Sequence, residues 1–233
     1  MNEELLTFTN CKHTKAELLA SLHRHAATDA ITQGVYWEGG EGCAVGCSIR
    51  DFAPGKESNH SLYELLFGIP EELALLEDKI FESLPFEKAK EWPIRFAEAI
   101  PEGVSLTIPL AKFKRFLLTD VCRFDREESP DVARAADAVI ALLDRRIAGD
   151  EPSPEEWLAA RSAAWSAESA ALSAESAAWS AARSAAWSAA WSAESAVWSA
   201  AESAAWSAAE SAESAAWEQI ADKLIELLKE TEQ

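Results

Sequence analysis

The chain has 233 residues, 48% of them hydrophobic, with a formal net charge of −19 and a sequence pI near 4.6. Both halves are acidic, 26 acids to 17 bases through Asp150 and 14 to 4 beyond it, so neither carries the basic surface that counterion-release binding to nucleic acid or to anionic lipid requires. No apolar run approaches the roughly 18 residues of a membrane-spanning helix and the opening Met-Asn-Glu-Glu is no basic leader, which points to the cytoplasm and to reduced cysteines at 11, 43, 47 and 122.

Leu5 to Thr9 is a short β-prone run, too isolated to imply a sheet. Thr14 followed by Glu17 is a capping box, and it predicts a helix with Leu18 and Leu22 on one face. On that helix His25 and Asp29 stand at i,i+4 spacing, within reach of a local hydrogen bond. Residues 33–48 then hold five glycines in sixteen positions, together with Cys43 and Cys47. So many glycines imply backbone conformations that other residues avoid, or a close approach of the backbone to something. The spacing matches neither the dinucleotide fingerprint nor a phosphate-binding P-loop.

From Ser58 the pattern is helical. Ser61 and Glu64 predict a helix start, with Gly68 as its stop. Pro70 suits the first turn of a helix carrying Leu73, Leu76, Ile80 and Leu84, ended by Pro85. Pro93 and Pro101 bracket a shorter helix with Phe96 and Ile100, and Pro109 opens another through Leu110, Phe113 and Leu117. Ser129-Pro130-Asp131 caps a helix through Val132, Ala136, Val139, Leu143 and Ile147 that stops at Gly149. Residues 1–149 thus read as a compact helical domain around the glycine-rich loop, and 150–152 as a hinge.

Ser153 and Glu156 form a second capping box, with Pro154 at the first helical position. From Ser162 to Ser214 a serine returns every three or four residues, about 3.7 on average, close to the 3.67 of an eleven-residue helical repeat. Alanine fills most other positions, and no glycine or proline follows Pro154. The fold expected is therefore all-α: the amino-terminal domain followed by one very long helix over 153–230, roughly 115 Å at about 1.5 Å per residue. One stripe of that helix carries Trp165, Trp179, Trp187, Trp191, Trp198 and Trp206 among glutamates and arginines, and exposed indoles in such number mark a contact surface. The competing reading is a short coding repeat expanded into a tolerated helix. Past Trp217, Ile220, Leu224, Leu227 and Leu228 form an ordinary apolar stripe, suited to a partner helix or to capping the repeat.

Three readings compete for the cysteines. Cys11-x-His13 and Cys43-x3-Cys47 supply three thiols and an imidazole, residue types that suit tetrahedral zinc. A thiol enzyme would use Cys43 or Cys47, activated by His25 or His13 with Asp29 as orienter. The third reading leaves the thiols buried and inert with no cofactor; Cys122 is read as core, and His60 as a solvated loop residue or a helix-start residue.

Gln33-Gly34 through Tyr36-Trp37, the stretch Gly42-Cys43-Ala44-Val45-Gly46-Cys47, Gly68-Ile69-Pro70 and Leu76-Glu77-Asp78 together resemble a family of bacterial and phage proteins of uncharacterised activity. Its members often trail an Ala/Ser/Arg/Trp-rich helical repeat of variable length. The likeness covers residues 5–150 in outline and brings no catalytic role. The expected function is a structural or interaction protein whose repeat helix drives homo-oligomerisation or binds a protein partner, without nucleic acid or membrane; enzymatic activity enters only through the last of its alternatives. Its alternatives are a zinc-supported binding module, with phage anti-defence as an analogy, and the thiol enzyme.

Overall fold

In the computed structural model, which describes residues 4–121, 130–172 and 210–232, Thr14 opens the first helix through the expected capping box. The Thr14 hydroxyl accepts from Glu17 N–H, and the Glu17 carboxylate accepts from Thr14 N–H at 2.8 Å. Among the described residues the regular elements are helices, joined by two isolated β-bridges in the glycine-rich loop. They are α1 (Lys15–Ala27), α2 (Ala44–Arg50), α3 (Leu62–Phe67), α4 (Glu71–Ser83), α5 (Phe86–Ala99), α6 (Thr107–Phe116) with a π-helical end (Leu117–Val121), α7 (Pro130–Ile147), α8 (Pro154–Leu172) and α9 (Glu210–Lys229). No described helix is long and apolar enough to cross a membrane.

The chain forms two compact units, one from Met1–Pro109 with Trp217–Gln233 and one from Leu110–Ala216. These divisions differ from the 150–152 boundary drawn on sequence. In the first unit α1 packs on α5, α4 on α5, and the short α2 against α1, α4 and α5. Leu18, Leu22, Ile49, Phe67, Leu73, Leu76, Ile80, Phe81, Trp92 and Phe96 make its core. At about 25 cal/mol per Å2 of apolar area, each such side chain favours folding by roughly 1.5–3 kcal/mol. Thr7, in the run expected to be β-prone, is instead the buried knot of an irregular strap. Its N–H reaches Val104 O at 3.0 Å and its hydroxyl reaches Pro101 O at 2.5 Å.

The apolar stripe of α9 faces this unit. Trp217, Ile220, Leu224, Leu227 and Leu228 are buried, Lys79 lies over the Trp217 ring at 5.9 Å, and Arg95 reaches Asp222 at 2.7 Å. The surface foreseen for a partner helix is thus buried within the same chain, where Lys79 of α4 and Arg95 of α5 reach this helix.

Pro93 does not begin a helix. It sits inside α5, which runs unbroken from Phe86 to Ala99. An interior proline costs about 3 kcal/mol, but Trp92, Phe96 and Ala97 flank it in the core and the Trp92 indole is tied to Glu77 O at 3.1 Å. Burial outweighs the local penalty. Ser61 makes no side-chain cap and bonds Asn59 instead.

In the second unit α7 and α8 pack against each other. Gly149, with φ at 85°, closes α7: Asp150 N–H donates to Arg145 O and Gly149 N–H to Arg146 O, the paired bonds of a glycine C-cap. The expected hinge is a clamped turn. Arg145 holds both Asp150 and Glu156, Arg146 holds Glu151, and the Arg146 guanidinium lies 4.9 Å from the Trp157 ring centroid. Ser153 and Glu156 complete the predicted capping box at 2.8 and 3.2 Å. Residues 173–209 lie outside the described residues, so the continuous helix over 153–230 stands across that interval as a proposal.

Candidate functional site

The glycine-rich loop folds back on itself so that Gly42 N–H donates to Ala30 O, Thr32 N–H to Gly42 O and Cys43 N–H to Val35 O. What approaches the glycines is the loop's own Tyr36 carbonyl. A Cβ on Gly46 would stand 1.6 Å from Tyr36 O, and one on Gly42 would stand 2.3 Å from it. Any side chain at either position would drive the loop off α2. The Gln33 side-chain amide donates to Phe81 O and Leu84 O, and Gly34 N–H meets both Glu82 carboxylate oxygens, which pins the loop along α4.

This packing brings five polar side chains together, Tyr36 and Cys43 from the loop and His60, Asp78 and Glu82 from outside it. Asp78, on α4 and 8% exposed, accepts at Oδ2 from the His60 Nε2 side at 3.1 Å, while its Oδ1 is buried without a hydrogen-bond partner. Cys43 caps α2, its sulfur accepting from Gly46 N–H at 3.3 Å. One ligand atom each from Cys43, Asp78 and Glu82 lie within 4.8 Å of one another. Half-exposed Tyr36 stands edge-on to His60, ring centroids 5.7 Å apart. Burial and the negative charge of Asp78 push its phenol up to about 12.

A second polar pair lies deeper. Tyr63 donates to Glu77 within the core, and burial pushes the Glu77 carboxyl up to about 8. Buried acids on the same face of α4 as Leu73 and Ile80 were overlooked on sequence. The signal was present, because Glu77 interrupts the apolar series Leu73, Ile80, Leu84 at i+4 from Leu73. His60, read as a solvated loop residue or a helix-start residue, lies two residues before α3 and is only 8% exposed, bonded to Asp78.

The four residues expected to bind zinc are placed as follows. The Cys11 thiol donates to His13 O at 3.2 Å, and the His13 ring lies tilted against Phe52 with centroids 4.3 Å apart. Cys47 is buried, its thiol bonded to Gly42 O at 3.3 Å. Among the described residues, the potential metal-ligand cluster contains Cys43 but not Cys11, His13 or Cys47. The groups expected to activate a nucleophile are also committed elsewhere. Asp29 binds Lys90 at 2.6 Å rather than His25, and His25 faces Asp51 at 3.6 Å and Trp37. Burial raises the Cys43 thiol pKa far above its ordinary range and pushes that of Cys47 up to about 12, the opposite of what an activated thiolate needs.

Of the tryptophans expected to form the binding stripe, Trp165 belongs to α8, and Trp179, Trp187, Trp191, Trp198 and Trp206 lie outside the described residues, as does Cys122. No protein family, no curated protein and no solved structure matches the chain.

Proposed function

We propose that the protein is a cytoplasmic structural or interaction protein whose segment 153–230 is a long helix that self-associates or docks a protein partner through its indole stripe. The observation that carries this reading is the serine register from Ser162 to Ser214, which keeps six tryptophans in phase on one side of an alanine- and serine-rich segment. The segment is entered through helical α8 and left through helical α9, so the helical phase assumed for the stripe is supported at both borders. Small residues around most of the circumference would let a second helix approach closely. Burial of one indole removes on the order of 150–250 Å2 of apolar surface from water, several kcal/mol, and the glutamates beside it contribute little. The raised thiol pKa values favour this reading over a thiol enzyme.

The test is the triple substitution Trp187→Glu, Trp191→Glu and Trp198→Glu in the full chain. Light-scattering mass should fall to that of a monomer while far-ultraviolet circular dichroism keeps its helical signal. An oligomer of unchanged mass would overturn the reading and leave the repeat as a passive expansion.

A further inference from the structure

We infer that Cys43, Asp78 and Glu82 are the protein ligands of one zinc-class divalent ion, with a fourth coordination position left to water. The three contribute a sulfur and two carboxylate oxygens, all mutually within 4.8 Å. Ligand atoms around a tetrahedral ion with bonds of about 2.0–2.3 Å stand roughly 3.5 Å apart, so closure around a metal asks the three atoms to draw together by no more than about 1.3 Å. Asp78 and Glu82 are one helical turn apart on α4 and share a face.

The carboxylate of Asp78 supplies the observation that points to a ligand. The residue is 8% exposed, it belongs to the cluster beside the Cys43 thiol and the Tyr36 phenol, and its Oδ1, shielded from water, meets no donor in hydrogen-bond geometry. A buried carboxylate oxygen left without a partner is costly, and a cation would satisfy it. Each ligand is also oriented by a bond from behind: Asp78 Oδ2 by His60 at 3.1 Å, Cys43 sulfur by Gly46 N–H at 3.3 Å, and Glu82 by Gly34 N–H at 2.9 and 3.1 Å. Such outer bonds hold metal ligands in place and tune them. Two carboxylates facing a thiol repel its ionised form, and a dication between them reverses that repulsion. The soft sulfur selects zinc or cobalt over magnesium or calcium. Three protein ligands with a vacant fourth place is the pattern of an ion that activates water or polarises a bound group, in contrast to closed structural sites.

Cobalt(II) titration of the full-length, chelator-treated protein tests this assignment. One ion should bind per chain, with thiolate-to-cobalt charge-transfer absorption in the near ultraviolet. Cys43→Ser should abolish that band, and Asp78→Asn and Glu82→Gln should each weaken binding at least about tenfold. Glu82 is exposed, so Glu82→Gln should keep the native circular dichroism spectrum and remain informative if a core variant misfolds. Cys11→Ser combined with His13→Asn should leave band and affinity unchanged. No thiolate band at stoichiometric cobalt, unaltered affinity in Glu82→Gln, or loss that follows Cys11 and His13 would each overturn the assignment. The oligomer mass plays no part in these readouts, so the result is independent of the role proposed for the repeat.

Discussion

The Tyr63 hydroxyl donates a 2.6 Å hydrogen bond to Glu77 Oε2, joining α3 to α4 through two side chains sealed from water. The same Glu77 accepts the Trp92 indole N–H on its backbone carbonyl, so one residue of α4 ties α3 and α5 together inside the core. A buried acid survives there because its polar atoms have partners.

Removing the phenol should expose that dependence. Tyr63→Phe keeps the ring and leaves Glu77 Oε2 without its donor, and should cost about 1–3 kcal/mol of stability. Urea denaturation followed by circular dichroism measures it. A midpoint equal to wild type would show that the pair contributes nothing net.

Gly46→Ala should be far more damaging than its single added carbon implies. The new Cβ would fall 1.6 Å from the Tyr36 carbonyl oxygen, and rigid backbone lies on both sides of the collision. The expected loss is at the large end of single substitutions, about 4 kcal/mol or more, seen as aggregation or a strongly lowered melting temperature. A variant with wild-type melting would mean that the loop does not pass over α2 at this point.

Stability should fall in mild acid on account of His25. Burial is the main cause that lowers its pKa, with Arg24 and Arg50 adding to burial and Asp51 opposing it. The unfolded chain, with an ordinary histidine near 6.5, therefore binds the proton more readily than the fold does. Stability from this group is complete above about pH 6.5 and is lost as pH drops below it, by no more than about 1.4 kcal/mol per pH unit. His25→Gln should flatten the difference in unfolding free energy between pH 7 and pH 5. An equal difference in both proteins would remove His25 as its source.

The carboxy-terminal helix should prove indispensable to the amino-terminal unit. Leu224 is fully buried in that unit, and Leu224→Ala should destabilise it by roughly 2–5 kcal/mol. A fragment of residues 1–149 should melt well below the full chain and gain stability from an added peptide of residues 210–233. A fragment 1–149 as stable as the full chain would show that α9 is dispensable.

Local rules were legible wherever neighbouring residues decide the outcome. Thr14 with Glu17 and Ser153 with Glu156 announce two helix starts through bonds three residues apart, and the apolar stripe of α4 announces its buried face. Pro93 shows the limit, because the packing of Trp92 and Phe96 outweighs a local penalty and no short window contains that information. The candidate site was hidden for a related reason. Cys43 was visible as a potential ligand, but its companions Asp78 and Glu82 lie more than thirty residues away on an ordinary amphipathic helix. The pairings His25–Asp51 and Asp29–Lys90 likewise replace the i,i+4 contact that spacing alone allowed.

The assignment of Trp217 onward to the unit built by the first 109 residues also bears on biosynthesis. At about 5–20 residues per second, the ribosome needs roughly 5–20 s to make the hundred or so residues that separate these two parts. Until then the nascent core lacks the helix that covers it. A chain that ends before Trp217 therefore lacks the residues that complete its first-made core.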